Sequence, residues 1–382
     1  MLRDALLFLL LAAATSGCVF MLLAATAMPA RPRTELFSGV AAAVTVLKPL
    51  HGDEAGLYEN LASYCEQHYD GPVQIVFGVA RADDPAVAIV ERLRNTYSGK
   101  VLELVIDPQV SGSNPKVTNL INMSGRIEHD IVVLADSDIR VGPDYLSRLV
   151  GALDRQQGGA VTCPYYGIAT DSLWSKLAQL NIDSHFLPGV VLGSKLKLAR
   201  PCLGSTIALH RSSLDAIGGF EAVADCLADD YELGAAVAAR GEPVTVLPFA
   251  VGHICDEPNW DELWRHELRW TLTIRLVNLA GYCGWAITHA FPLALLALCF
   301  GGGWPAVFLA IAALGCRSLL LLAVESGYGL PRRPHWLIPL RDILSFVVFV
   351  AGFAVNDVSW RGQHYRTIPE GTMTPQRRAP SP

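Results

Sequence analysis

Asp136 and Asp138 stand one residue apart, directly after the apolar run Ile131-Val132-Val133-Leu134-Ala135. In an extended chain the side chains at i and i+2 point the same way, so the two carboxylates project together. Two hard oxygen ligands so placed can hold Mg2+ or Mn2+ against a diphosphate. The plain alternative is a turn, since Asp and Ser are common where strands end. The run before the pair, short and β-branched, has the character of a strand buried on both faces of a parallel sheet. Open sheets of that kind bind ligands at the carboxyl ends of their strands.

The elements that must carry such a pair emerge from the pattern between Val40 and about Leu247, where short apolar runs alternate with amphipathic stretches. Val44 to Leu47, Val73 to Val79, Val101 to Ile106, Ile131 to Ala135 and Ala160 to Cys163 read as strands. Leu57 to Gln67, Ala86 to Tyr97, Lys116 to Ile127 and Tyr145 to Arg155 read as helices. This alternation predicts an α/β domain with a mostly parallel sheet.

The chain has 382 residues, 51% hydrophobic and 17% charged, with a formal charge of −6. Soluble proteins carry about 25% charged residues, so membrane segments are expected beside the domain. The negative balance argues against a nucleic-acid partner, which calls for a basic footprint. The nine cysteines are scattered with no Cys-x-x-Cys pair, so neither a disulfide framework nor a zinc site is indicated.

Ala5 to Ala30 lacks any charge and is long enough to cross a ~30 Å bilayer core. It exceeds the h-region of a signal peptide, about 7–15 residues, and is read as an uncleaved anchor. Arg31 and Arg33 then place the next segment in the cytoplasm. Trp260 to Leu279 reads as an amphipathic helix at the membrane surface. Gly284 to Phe300 and Trp304 to Ala323 read as two spans, and Ile343 to Val355 as a tilted span or re-entrant piece. Arg361, Arg366, Arg377 and Arg378 make the tail basic.

Further stretches flank the Asp-Ser-Asp segment. Val46-Leu47-Lys48-Pro49-Leu50-His51-Gly52 ends the first strand and Ala82-Asp83-Asp84-Pro85 comes after the second. Ser113-Asn114-Pro115-Lys116 opens a helix, and Leu227-Ala228-Asp229-Asp230-Tyr231-Glu232 and His266-Glu267-Leu268-Arg269-Trp270 come later. In this order they resemble the inverting GT-A glycosyltransferases of the ceramide glucosyltransferase family, and within it the bacterial hopanoid biosynthesis-associated members. The resemblance runs from about Val40 to Tyr365. The hopanoid likeness also rests on Asn119-Leu120-Ile121-Asn122-Met123, Gly204-Ser205-Thr206-Ile207-Ala208-Leu209 and Trp360-Arg361-Gly362-Gln363-His364-Tyr365-Arg366.

The resemblance implies a GT-A domain over 35–258, an anchor over 1–34, an interfacial helix over 259–282, a transmembrane region over 283–360 and a basic, partly disordered tail over 361–382. It implies Asp136 and Asp138 as metal ligands, Asp84 near the nucleoside, and Asp230 as general base beside Asp229. Two adjacent carboxylates repel, which raises one pKa and suits proton abstraction; a helix N-terminus also favours acidic residues. Arg269 would contact diphosphate and Trp270 the acceptor, although an interfacial belt also uses Arg and Trp. The family's usual Gln or Arg three residues before Arg269 is His266 here. Lys116, Gly204 and Ser205 would approach the donor, and His185 the acceptor.

The resemblance thus implies a bacterial inner-membrane enzyme using Mg2+ or Mn2+. It would pass N-acetylglucosamine from UDP-N-acetylglucosamine to a hopanoid hydroxyl with a β-linkage. The alternatives are a ceramide glucosyltransferase using UDP-glucose, a processive polysaccharide synthase, and a non-catalytic membrane lipid-binding scaffold. The oligomeric state is open.

Overall fold

Four parallel pairings and a reversed strand carry Asp136 to its place. The structure is a computed structural model that describes residues 1–30, 41–156, 158–198, 202–355, 357–360, 363–367 and 373–375. The strands are β1 (Val44–Pro49), β2 (Val73–Val79), β3 (Val101–Ile106), β4 (Ile131–Leu134), β5 (Ile139–Arg140), β6 (Ala160–Thr162), β7 (Tyr165–Ala169), β8 (Ile207–His210), β9 (Val244–Val246) and β10 (Val251–Cys255). The main sheet has the order β3-β2-β1-β4-β8-β6-β9. β1 pairs in parallel with β2 and β4, β2 with β3, and β6 with β9; β8 runs antiparallel to β4 and β6. The fold is α/β with a mostly parallel sheet, as the strand–helix alternation predicts.

The period-2 alternation of side chains splits each central strand between two cores. Ile75 and Phe77 of β2 and Ile131 and Val133 of β4 bury on one face, against the helices Leu57–Cys65, Ala86–Thr96 and Tyr145–Gln156. Val76, Val132 and Leu134 bury on the other, against the helices Pro115–Ser124 and Asp229–Ala239. Each fully buried Val, Leu, Ile or Phe contributes about 1.5–3 kcal/mol. Helices on both faces leave the strand ends as the accessible edge.

The chain forms two compact units. The sheet unit comprises Thr34–Ile168, Arg200–Asp256 and Trp360–Pro382; the helical unit comprises Met1–Arg33, Ala169–Ala199 and Glu257–Ser359. The division is not collinear: Ala169–Ala199 falls inside the expected 35–258 stretch yet groups with the helices. Arg31, Arg33, Arg361, Arg377 and Arg378, on which the expected orientation rests, lie outside the described residues.

In the helical unit Leu2–Ala27 and Gly303–Tyr328 are each 26 residues and apolar enough to cross a membrane. They pack on each other and on Ala290–Cys299. A Cβ at Gly17 would overlap the Ile287 carbonyl oxygen, so glycine permits the close approach there. The stretch expected as a span, Gly284 to Phe300, is bent: Leu279–Thr288 and Ala290–Cys299 meet at 68°. Pro292 supplies the reason. It has no N–H to give the Thr288 carbonyl, so an unbroken helix would lose that bond. The third apolar piece is the 14-residue helix Ile338–Ala351, shorter than the about 20 residues of a full span. The stretch expected as an amphipathic helix is the helix Trp260–Val277, whose buried face holds Leu263, Glu267, Thr271 and Leu272.

Candidate active site

The sheet unit gathers five of the expected residues into one cluster. Asp136 lies just after β4, and Gly204 just before β8, its carbonyl accepting the Asp136 N–H at 3.3 Å. Lys116 stands in the first turn of Pro115–Ser124, a helix capped by the Asn114 side chain, which accepts from the Lys116 and Val117 amides. Asp229 and Asp230 open the helix Asp229–Ala239, where the macrodipole favours carboxylates. The helix-start reading of that pair is what the fold shows.

Lys116 Nζ lies 2.8 Å from Asp136 Oδ1 and 3.1 Å from Asp229 Oδ2. Burial disfavours its ammonium, yet Asp136, Asp229 and Asp230 hold its pKa above the usual lysine value. Asp230 Oδ2 accepts the Gly204 N–H at 2.7 Å and Oδ1 accepts the Tyr231 N–H at 2.8 Å. Burial and then the Asp229 charge push the Asp230 carboxyl up to about 6, against the pull of Lys116. Asp136 is also raised, first by burial. A Cβ at Gly204 would sit 2.7 Å from Asp136 Oδ2, 3.1 Å from Lys116 Nζ and 3.4 Å from Asp230 Oδ2. Only glycine fits between the two aspartates without displacing them.

Asp138 turns toward β10, with its Oδ2 3.3 Å from His253 Nδ1. The pairing of His253 with Ile139 across β10 and β5 sets that approach. Asp136 and Asp138 are hard oxygen donors of the kind Mg2+ and Mn2+ take, and the Asp138 charge helps to raise the Asp136 pKa. Among the described residues no three or more His, Cys, Asp or Glu side chains converge as a metal cage. A cation held by these two would draw its remaining ligands from phosphate and water.

Two expected donor residues sit differently. Asp84 accepts the Gly52 N–H at 2.9 Å and the Ala86 N–H at 2.9 Å, tying the loop after β1 to the next helix. Ser205 is buried and donates its hydroxyl to the Cys163 carbonyl at 2.7 Å, supporting the turn that presents Gly204. Lys48, quoted in a motif but given no role, is buried on β1 and donates to the Asp136 carbonyl. Burial drives its pKa down to about 7, against the pull of Asp136 and Asp138. A lone lysine in an apolar strand was the available signal.

Arg269, Trp270 and His185 belong to the helical unit. The Trp270 ring meets His266 edge-on at 4.6 Å and Phe186 at 6.2 Å between centroids. His266 is held in turn by Glu257, Nδ1 to Oε1 at 2.6 Å. His185, next to Phe186, points its Nε2 at Asp342 Oδ1, 3.0 Å away. Glu267 forms a buried bidentate pair with Arg341, with Nη2 at 2.8 Å from Oε2. Arg317 was legible as an isolated charge in an apolar helix, but its partner Asp342 was not, nor was the Glu267–Arg341 pair.

The profile of Glycosyl transferase family 21 matches residues 7–373, and the chain belongs to that family. It is 27% identical to ceramide glucosyltransferase 1 of Caenorhabditis elegans over 208 residues, 52% of this chain and 42% of that protein. It is 31% identical to a ceramide glucosyltransferase of Komagataella phaffii over 116 residues, 29% of this chain and 23% of that protein. The matches thus span less than half the length of these curated relatives. A mannosyltransferase from Pyrobaculum calidifontis, solved in complex with GDP-Man and Mn2+, is similar in structure. The TM-score is 0.50 at 20% identity, over 92% of this chain and 99% of that one. That likeness establishes the fold as GT-A.

Proposed function

We propose that this chain is a membrane-bound, sugar-nucleotide-dependent inverting glycosyltransferase whose acceptor is a lipid hydroxyl. The observation that carries the reading is the Lys116–Asp136–Asp229–Asp230 cluster at the strand ends, with one carboxyl raised to about 6. Family 21 membership and the two long apolar helices support it.

Asp230 is the general base. A carboxyl near 6 is ionised at neutral pH and basic enough to take a proton from a hydroxyl as it attacks. The Gly204 and Tyr231 amides fix both of its oxygens, so it is oriented before substrate arrives. The acceptor oxygen attacks the anomeric carbon from the face opposite the diphosphate, and a single displacement gives the β-linkage. Lys116, at a helix N-terminus, is placed to meet the phosphates. Asp136 and Asp138 would hold Mg2+ or Mn2+, which when bound neutralises charge on the leaving diphosphate. Arg269 and Trp270 are assigned to diphosphate and acceptor on motif likeness. The domain limits 35–258 and 283–360 remain part of this proposal, as does a cytoplasmic sheet unit.

The motif likeness favours N-acetylglucosamine passed to a bacteriohopanetetrol-type hopanoid. The ceramide glucosyltransferase relatives favour a second reading, glucose passed from UDP-glucose to ceramide. Full-length protein should be assayed with labelled UDP-N-acetylglucosamine and UDP-glucose against bacteriohopanetetrol and ceramide. Glycosylated hopanoid confirms the first reading and glucosylceramide the second; no product in any pairing removes both.

A further inference from the structure

The helical unit buries a polar cluster that proton abstraction at Asp230 does not use. Two prolines create it. Pro188 and Pro292 each lack the N–H that would reach the carbonyl four residues back, which frees the oxygens of Ser184 and Thr288. The chain answers the first with a π-turn at Ile182–Phe186 and the second with the break before Ala290–Cys299. Arg317, inside the span Gly303–Tyr328, donates to both freed oxygens, at 2.7 Å each, and its Nε lies 3.1 Å from Asp342 Oδ1. All three guanidinium nitrogens are engaged. Irregular backbone in a membrane unit persists where protein groups satisfy it or a site is lined.

His185 and His289 sit at these two irregularities, with ring centroids 6.1 Å apart. An ionised Asp342 only accepts, so the His185 proton sits on Nε2 and its Nδ1 carries a lone pair. Among the described residues that buried Nδ1 finds no hydrogen-bond partner; His289 is 0% exposed and neither of its nitrogens finds one. Buried polar atoms almost always have partners, and three orphaned nitrogens in one place call for an occupant. The walls beside them are aromatic: Phe349, Phe346 and Trp285 lie 5.0, 5.7 and 5.9 Å from the His289 ring.

The donor set selects the occupant's chemistry. Arg317 turns its three nitrogens to the two carbonyls and Asp342, an anion would meet the His185 Nδ1 lone pair, and a metal ion would lie beside the guanidinium. His185 offers an acceptor, and a neutral His289 offers one donor and one acceptor. A hydroxyl or amide, which both donates and accepts, matches all three. We propose that His185 and His289 form a recognition point for a neutral hydroxyl or amide in the polar head of a membrane lipid. This deepens the lipid-acceptor reading and rests on it.

The test uses full-length protein in detergent, with ceramide and bacteriohopanetetrol as probes beside their O-methylated forms. Thermal unfolding reads binding without requiring transfer. A free-hydroxyl lipid should raise Tm and its methylated form should not; His289→Phe should abolish the shift and His289→Asn should restore part of it. In active protein His289→Phe should raise the acceptor KM about tenfold, as for one lost hydrogen bond, with the sugar-nucleotide KM unchanged. An equal shift from free and methylated lipid, or an undiminished one in His289→Phe, means the nitrogens hold only enclosed water and overturns the proposal. Should His289→Phe not fold, the comparison of free and methylated lipid on wild type decides alone. If wild type binds lipid but transfers no sugar, the enzymatic reading fails while this site stands.

Discussion

The Gly204 amide donates to Asp230 Oδ2 at 2.7 Å while its absent side chain leaves room for Asp136 Oδ2, 2.7 Å from where a Cβ would be. One residue thus positions the base and admits the carboxylate assigned to the metal. Substituting alanine forces the two apart. Gly204→Ala should keep its fold, lose about 1–3 kcal/mol to overpacking, and lose activity well beyond what the stability change explains. Melting curves and kcat/KM on the same preparation check this.

Asp230 sets a pH dependence. Activity needs the ionised form, so the rate should rise with pH through a midpoint near about 6. Stability runs the other way. A carboxyl whose folded pKa is raised contributes stability below its unfolded value, which is lost as pH rises through about 6. Asp230→Asn keeps one oxygen acceptor in place of two, so it should lose the stability change around that pH and about 10²–10⁴ in kcat. An Asn variant that keeps wild-type activity refutes the assignment.

Lys116 compensates a cluster of carboxylates. Its removal leaves Asp136, Asp229 and Asp230 facing one another, so Lys116→Met should destabilise the fold, by less than breaking a fully buried pair because Asp136 is 34% exposed. The midpoint of the pH–rate curve should move upward, because the cation that lowers Asp230 is gone. Chemical denaturation and a pH–rate curve read the two effects separately.

A divalent cation at Asp136 and Asp138 makes chelation informative. EDTA should abolish transfer and Mn2+ restore it, and Asp136→Asn should lose the Mn2+-dependent part of UDP binding. Titration calorimetry of UDP with and without Mn2+ measures this directly. UDP affinity that ignores both the metal and Asp136 would count against the cation.

Arg317 closes two backbone gaps at once, at Ser184 and Thr288. Arg317→Lys retains the charge but not the fork that reaches both carbonyls. It should still lower Tm of the full-length protein by several degrees, with Arg317→Met worse.

Much of this molecule is determined by local chemistry and so is legible in the chain. The runs Val73 to Val79 and Val101 to Ile106 coincide with strands residue for residue, because apolar β-branched runs between turn residues admit few other fates. Asp136 at a strand end is set by the apolar run before it, and Asp229-Asp230 at a helix start suit the macrodipole. Spacing does not encode which ends meet. Lys116 reaches Asp229, far along the chain, only because β4 and the reversed β8 bring their helices together, and His253 finds Asp138 only through the β5–β10 pairing. The break at His289 is a case in between: Pro292 forbids an unbroken hydrogen-bond ladder, a fact written in the sequence. That the freed carbonyl is met by Arg317, and that two buried imidazoles end up 6.1 Å apart between centroids, is decided by helix packing. Burial makes each such partner obligatory, and only the tertiary structure says who it is.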